Sequence, residues 1–148
     1  SNTYVMNESE YGMFVTVFYA MIDTGSKSFT YGSAGHNEQI LLKPRTGEII
    51  MLNAKGCPLG IDENAGYGEQ TVNYDHGDLL LLFTDGLVES LGDEGEDLNL
   101  GYEKLNMLLK SNIHEPAERL LNIIRNAIRE VYPDNELMDD LTVLAVNL

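Results

Sequence analysis

The chain has 148 residues, of which 43% are hydrophobic and 22% charged, a composition typical of a folded domain and not of a disordered or collagen-like chain. Nine basic residues against 24 acidic ones give a formal net charge of −15, which argues against nucleic-acid binding and would repel an anionic membrane. The apolar runs, Leu79–Phe83 among them, are far shorter than the roughly 20 residues of a membrane span, and no signal peptide is visible.

Cys57 is the only cysteine, which excludes an intrachain disulfide and a cluster of cysteine zinc ligands. A chain without disulfides is typical of the cytoplasm, and we expect this protein to be cytoplasmic. His36, His76 and His114 lie far apart in the sequence, so we expect no histidine-rich metal site. No repeat, low-complexity tract or linker-like stretch divides the chain, and we expect one domain over residues 1–148.

Strand signals dominate the first two thirds of the chain. Runs rich in β-branched, aromatic and aliphatic residues predict strands at residues 13–22, 29–33, 39–43, 48–52 and, more weakly, within 67–74. The turn residues Asp23, Thr24 and Gly25 join the first two strands as a hairpin. A further run, Leu79–Phe83, is apolar at every position, which predicts a strand buried on both faces.

Helical periodicity replaces the strand signals in the last third. Apolar residues three and four positions apart predict helices at residues 102–109 and 116–131. Pro116 suits the first turn of the second helix, and Arg125 and Arg129 lie towards its C-terminal end, where cations are favoured. The apolar run 141–146 predicts a last strand. This order of elements predicts an α+β fold with mostly antiparallel pairing.

Acidic residues adjoin two of the predicted core strands. Asp85 directly follows the strand Leu79–Phe83, and Asp139 and Asp140 directly precede the last strand. Carboxylates at the ends of neighbouring strands can converge, and a hard divalent cation such as Mg²⁺ or Mn²⁺ relieves their mutual repulsion. Gly86 would let the backbone come close to such an ion. Taken alone, Asp85 before Gly86 is more simply explained as a turn, and an aspartate before the last strand as a cap or a solvated strand edge. Only the pairing of the two positions points to a metal site.

Five short motifs follow one another along the chain. They are MFVT at 13–16, AGHN at 34–37, GCPLG at 56–60, GDLLLLFTDG at 77–86 and DDLT at 139–142. In this order, the motifs resemble those of the bacterial PPM phosphatases of the SpoIIE and RsbU type, which are relatives of PP2C. The resemblance extends from about residue 13 to residue 146.

The resemblance implies an αββα sandwich, with two mainly antiparallel sheets between helices. It also implies a centre of two Mn²⁺ or Mg²⁺ ions that activates water to hydrolyse phosphoserine or phosphothreonine. By match to the TDG motif, Asp85 would carry metal and Gly86 would shape the approach. By match to the DDxT motif, Asp139 would be the second metal carboxylate and Asp140 would orient the site. The implied partner is a phosphorylated regulatory protein such as an anti-sigma-factor antagonist.

Two other motifs of the family, a GGDxxD strand and a DxxGHG helix start, do not occur in this sequence. The chain is therefore similar to about the C-terminal two thirds of the catalytic domain, with residues 1–12 as a connector or the end of a preceding helix. We expect it to lack the first strands, one helical layer and the aspartate that bridges two metal ions.

Two further expectations follow from the missing motifs. The 148 residues alone should have weak phosphatase activity or none, and the uncovered sheet face should be buried by self-association. The alternative function is a non-catalytic PPM-like binding module in a partner-switching pathway.

Overall fold

The computed structural model describes residues 2–8, 13–92, 98–133 and 140–148. The elements in chain order are α1 (Asn2–Glu8), β1 (Val17–Asp23), β2 (Ser28–Ala34), β3 (Gln39–Lys43), β4 (Glu48–Leu52), β5 (Glu69–Asn73), β6 (Leu79–Phe83), α2 (Gly86–Leu91), α3 (Leu98–Ser111), α4 (Ala117–Val131) and β7 (Val143–Asn147). Two sheets have the strand orders β1-β2-β5 and β4-β3-β6-β7. The pairs β1–β2, β2–β5, β3–β6 and β6–β7 are antiparallel, which confirms the predicted α+β class.

The first of two compact units comprises Ser1–Glu38 and Leu52–Asp75 and holds the three-stranded sheet. Its β1–β2 hairpin was predicted, and the turn is stabilised by the carboxylate of Asp23. The Oδ1 atom of Asp23 accepts hydrogen bonds from the backbone N–H groups of Gly25 at 2.8 Å and Ser26 at 3.2 Å. This is the local pairing by which aspartate favours turns.

The predicted first strand begins too early, since residues 13–16 lie outside β1. Val15 instead forms an isolated bridge with Leu59, through N–H···O bonds of 2.9 and 2.8 Å. The ladder between β1 and β2 starts where Val17 faces Ala34. The start of a strand depends on its partner, which the β propensity of residues 13–16 does not reveal.

The second unit comprises Gln39–Met51 and His76–Leu148 and holds the four-stranded sheet with α2, α3 and α4. As predicted, β6 is buried on both faces, with only Leu82 partly exposed. Alternate residues of β6 belong to a cluster with helical residues. Its largest fully buried members are Leu81 of β6, Ile40 and Leu42 of β3, and, on the helices, Leu87, Leu105, Leu109, Leu120 and Ile124.

The helices agree with the sequence signals where the periodic pattern is long. Helix α4 begins at Ala117 with Pro116 as its N-cap, and α3 begins four residues before the predicted start at 102. Helix α2 was not predicted, because its six residues are too few to show a helical period. Among the helices in the described part of the chain, none is long and apolar enough to cross a membrane.

Candidate metal centre

The end of β6 lies beside the start of β7. The two strands are antiparallel, and the last residue of β6, Phe83, faces the first residue of β7, Val143. The segment that leads to Asp85 therefore meets the segment that contains Asp140 at the same end of the sheet. The sequence raised such a meeting of strand ends as a possibility, and β6 and β7 are indeed neighbours.

Thr84 joins the two segments through three hydrogen bonds. Its backbone N–H donates to the carbonyl of Thr142 at 3.1 Å. Its hydroxyl donates to the carbonyl of Asp140 at 3.1 Å and accepts from the N–H of Thr142 at 3.0 Å. The side chain thus extends the β6–β7 ladder by one step, directly before Asp85. This role of Thr84 was not predicted from the sequence, although a hydroxyl residue between an apolar strand and an aspartate is a usable signal.

Asp85 also caps α2. Its Oδ1 accepts a hydrogen bond from the N–H of Gly86 at 3.2 Å, and its carbonyl accepts from the N–H of Glu89 at 3.0 Å. The carboxylate is exposed, whereas Gly86 is buried. Because the cap uses Oδ1, the second oxygen can bind a cation while the helix stays capped. The cap seen in the structure is therefore compatible with the predicted role of Asp85 as a metal ligand.

The second predicted ligand, Asp139, lies outside the described residues. Asp140 is described and exposed, and its carbonyl is held by Thr84. Within residues 2–8, 13–92, 98–133 and 140–148, no three His, Cys, Asp or Glu residues are grouped closely enough to hold a metal ion. Magnesium sites often use only one or two carboxylates and complete their shell with water. The exposed carboxylates of Asp85 and Asp140 at this end of the sheet offer oxygen atoms of the kind that Mg²⁺ and Mn²⁺ prefer, which fits part of such a site.

The three remaining sequence motifs meet within the first unit. Val15 of the MFVT motif is hydrogen-bonded to Leu59 of the GCPLG motif. Gly35 of the AGHN motif has φ +69°, and a Cβ atom there would lie 2.3 Å from the Cγ of Pro58. Only glycine satisfies both the backbone angle and the close approach. These contacts give the three motifs a structural role.

His36 takes part in the AGHN turn. Its N–H donates to the hydroxyl of Ser33 at 3.1 Å, and its Nδ1 accepts from the N–H of Asn37 at 2.9 Å. A ring nitrogen that accepts a backbone hydrogen bond has no lone pair left for a metal ion. The Nδ1 atom of His36 therefore serves the turn.

The family model described as Stage II sporulation protein E (SpoIIE) matches residues 1–148. The chain belongs to the SpoIIE family. The phosphoserine phosphatase RsbU of Bacillus subtilis (strain 168) is 28% identical over 145 residues, which are 98% of this chain and 42% of RsbU. The chain thus spans less than half the length of this relative.

Solved structures of SpoIIE itself show the same fold. The PP2C phosphatase domain of Bacillus subtilis SpoIIE, with a fragment of its regulatory domain, has a TM-score of 0.75 and 18% identity, over 99% of this chain and 42% of that one. A manganese-presoaked structure of the SpoIIE phosphatase domain has a TM-score of 0.71 and 19% identity, over 99% and 62%. The two antiparallel sheets with helices are those of a PP2C-like phosphatase domain.

Proposed function

We propose that this chain forms part of a metal-dependent protein serine/threonine phosphatase domain. The observation that carries the proposal is the joining of the TDG and DDLT motifs by the hydroxyl of Thr84. The two acidic segments thus lie at one end of the β6–β7 strand pair, in a chain of the SpoIIE family. The name of the relative RsbU, a phosphoserine phosphatase, supports the same reaction.

In this proposal, Asp85 and Asp139 hold Mn²⁺ or Mg²⁺, and Asp140 orients the site. When bound, such ions lower the pKa of water and offset the charge that develops on a phosphoryl group. The chain holds Asp85 rigidly, since its carbonyl is bonded into α2 and the preceding Thr84 is bonded to β7. A rigid carboxylate reduces the reorganisation that ligand binding would otherwise need.

The proposed substrate is a phosphoserine or phosphothreonine of a cytoplasmic regulatory protein such as an anti-sigma-factor antagonist. The strong negative charge of the chain would repel a phosphate group unless cations were bound first. We therefore expect substrate binding to require the metal. Because the sequence lacks the GGDxxD and DxxGHG motifs, we also propose that the 148 residues alone turn over slowly or not at all.

The test separates binding from turnover. A fluorescent phosphoserine peptide and its unphosphorylated twin are titrated with the chain, with and without Mn²⁺, while phosphate release is measured in parallel. Metal-dependent preference for the phosphorylated peptide, lost in Asp85→Asn but kept in Glu103→Gln, supports the phosphatase site. The control removes one negative charge from an exposed position of α3.

The result also decides the alternative function. Equal affinity for the phosphorylated and unphosphorylated peptides, with or without Mn²⁺, and no phosphate release would favour a non-catalytic binding module. The absence of a group of three metal-ligating residues from the described ranges is the observation on the side of this alternative.

A further inference from the structure

The buried amide of Gln39 is bonded to the backbone of Phe83. Gln39 is the first residue of β3 and is only 1% exposed. Its Nε2 donates to the carbonyl of Phe83 at 3.1 Å, and its Oε1 accepts from the N–H of Phe83 at 2.6 Å. Phe83 is the last residue of β6 and lies two positions before Asp85. One side chain thus satisfies both polar backbone groups at this point of the strand.

The register of the sheet explains why a side chain is needed there. The β3–β6 pairing reaches Ile40 opposite Leu81. Hydrogen-bonded pairs recur at every second residue of an antiparallel ladder, so the next pair would join Phe83 to Glu38. Glu38 precedes the start of β3 and is not part of the ladder. The amide of Gln39 carries the same donor and acceptor as a peptide group and takes that place.

The strand end is consequently held from both sides. Phe83 is bonded towards β3 by Gln39, and Thr84 is bonded towards β7 by Thr142. Successive residues of a strand direct their backbone groups to opposite neighbours, so the two attachments fix the direction in which the chain leaves the sheet. The next residue is Asp85.

We propose that Gln39 is a positioning residue for Asp85, acting through the backbone of Phe83 without touching the proposed cation. The inference rests on the proposed function, because it takes Asp85 to be a metal ligand. Residues that hold a metal ligand in its binding orientation, without touching the metal ion themselves, contribute to metal affinity. A purely structural Gln39 would instead stabilise the fold and leave the affinity of the folded chain unchanged.

The test begins with amide hydrogen exchange on the unaltered 148-residue chain. The N–H of Phe83 should be protected, because it donates to a buried oxygen. Gln39→Met keeps the length of the side chain but removes both polar atoms. We expect exchange at residues 83–86 to become about tenfold faster or more, beyond any change in the buried amides of α4.

The matched control is Ile128→Val, which removes one methyl group from a buried position of α4 and leaves the Phe83 hydrogen bonds in place. Mn²⁺ alone is then titrated into all three folded proteins. We expect Gln39→Met to weaken Mn²⁺ binding about tenfold or more and the control to bind as the unaltered chain does. If Gln39→Met does not fold, Gln39→Asn keeps a neutral amide but is one methylene group too short to reach both polar groups of Phe83, and the same direction is expected.

The outcomes separate this inference from the proposed function. Faster exchange confined to residues 83–86, together with weaker Mn²⁺ binding, supports the positioning role. Rapid exchange of Phe83 in the unaltered chain, or Mn²⁺ binding by Gln39→Met equal to that of the control, overturns it. If the unaltered chain binds no Mn²⁺, the proposed metal site fails. The ordering role of Gln39 is then judged from hydrogen exchange only: faster exchange at residues 84–86 in Gln39→Met supports it, and unchanged exchange overturns it.

Discussion

The hydroxyl of Thr84 donates a hydrogen bond to the backbone carbonyl of Asp140 at 3.1 Å. The same oxygen accepts the N–H of Thr142 at 3.0 Å, so one side chain binds both ends of a three-residue segment. This links the residue before Asp85 to the start of β7. The position requires a side chain that can donate and accept at once, which a hydroxyl does and a methyl group does not.

Replacing Thr84 by valine should therefore loosen the candidate site. Thr84→Val keeps the shape of the side chain but removes its hydrogen bonds to the Asp140 carbonyl and the Thr142 N–H. We expect unfolding free energy to fall by about 1–2 kcal/mol in urea titrations, and Mn²⁺ affinity to fall as well. Thr84→Ser, which keeps the hydroxyl, is the control and should retain the affinity. Equal Mn²⁺ binding by the valine and serine variants would show that the hydroxyl does not organise the site.

Gly101 permits a close crossing of α2 and α3. A Cβ atom at this position would lie 2.0 Å from the carbonyl oxygen of Val88. Although alanine favours helix by about 1 kcal/mol over glycine, relieving such an overlap moves backbone and commonly costs about 1–3 kcal/mol. Gly101→Ala should consequently lower the thermal midpoint, whereas Asn106→Ala, at an exposed position of α3, should not. A Gly101→Ala variant as stable as the unaltered chain would contradict this packing.

Tyr19 reaches across β2 to Glu69 on β5. The residue between them is Gly32, and a Cβ atom there would lie 2.7 Å from the Tyr19 ring. The hydrogen bond to the Glu69 carboxylate, with smaller effects of burial and charge, raises the pKa of Tyr19 above its ordinary value. The stability that this bond contributes is present below the unfolded pKa and is lost as pH rises through the folded pKa.

The Tyr19 interaction can be measured by NMR titration of the ring resonances. We expect the pKa of Tyr19 to fall towards its ordinary value both in Glu69→Gln, which removes the charge, and in Gly32→Ala, which displaces the ring. Thr71→Ala, two residues after Glu69 on β5, serves as the control. A Tyr19 pKa unchanged by either substitution would exclude the cross-strand bond.

Strand β1 is an edge of the three-stranded sheet. It exposes Met21 to 60%, and residues 17–22 carry no charge, which leaves the edge open to pairing with another strand. Self-association was predicted from an uncovered sheet face and stays a prediction, to which this edge adds a second possible contact. It can be measured by light scattering over a range of protein and salt concentrations. The apparent molar mass should rise with protein concentration. It should also rise with salt concentration, because salt screens the repulsion between acidic copies of the chain. Met21→Lys should reduce this rise. A monomer under all these conditions would contradict it.

Much of the fold could be predicted because its signals are local. The strands at 39–43, 48–52 and 79–83 and the helix starting after Pro116 have runs or periods that can be read without their partners. The start of β1 could not be predicted, because it depends on pairing with β2. The short helix α2 could not be predicted either, because it depends on the cap at Asp85. Long-range pairing is what propensity does not encode.

The candidate site divides in the same way. The sequence placed Asp85 and Asp140 beside apolar strands whose ends could meet, and the pairing of β6 with β7 came from the structure. The metal-binding roles of Asp85 and Asp139 stay predictions. The contact between Gln39 and Phe83 joins residues 44 positions apart, and it exists only because β3 begins where the ladder still needs a donor and an acceptor. A lone glutamine before an apolar run does not reveal that requirement.

The most direct test of the account is a calorimetric titration of Mn²⁺ into the 148-residue chain, its Asp85→Asn variant and the Glu103→Gln control. The account predicts saturable binding by the unaltered chain and by Glu103→Gln, and loss of that binding in Asp85→Asn. Binding that survives in Asp85→Asn, or no binding by the unaltered chain, would contradict a cation site at the end of β6.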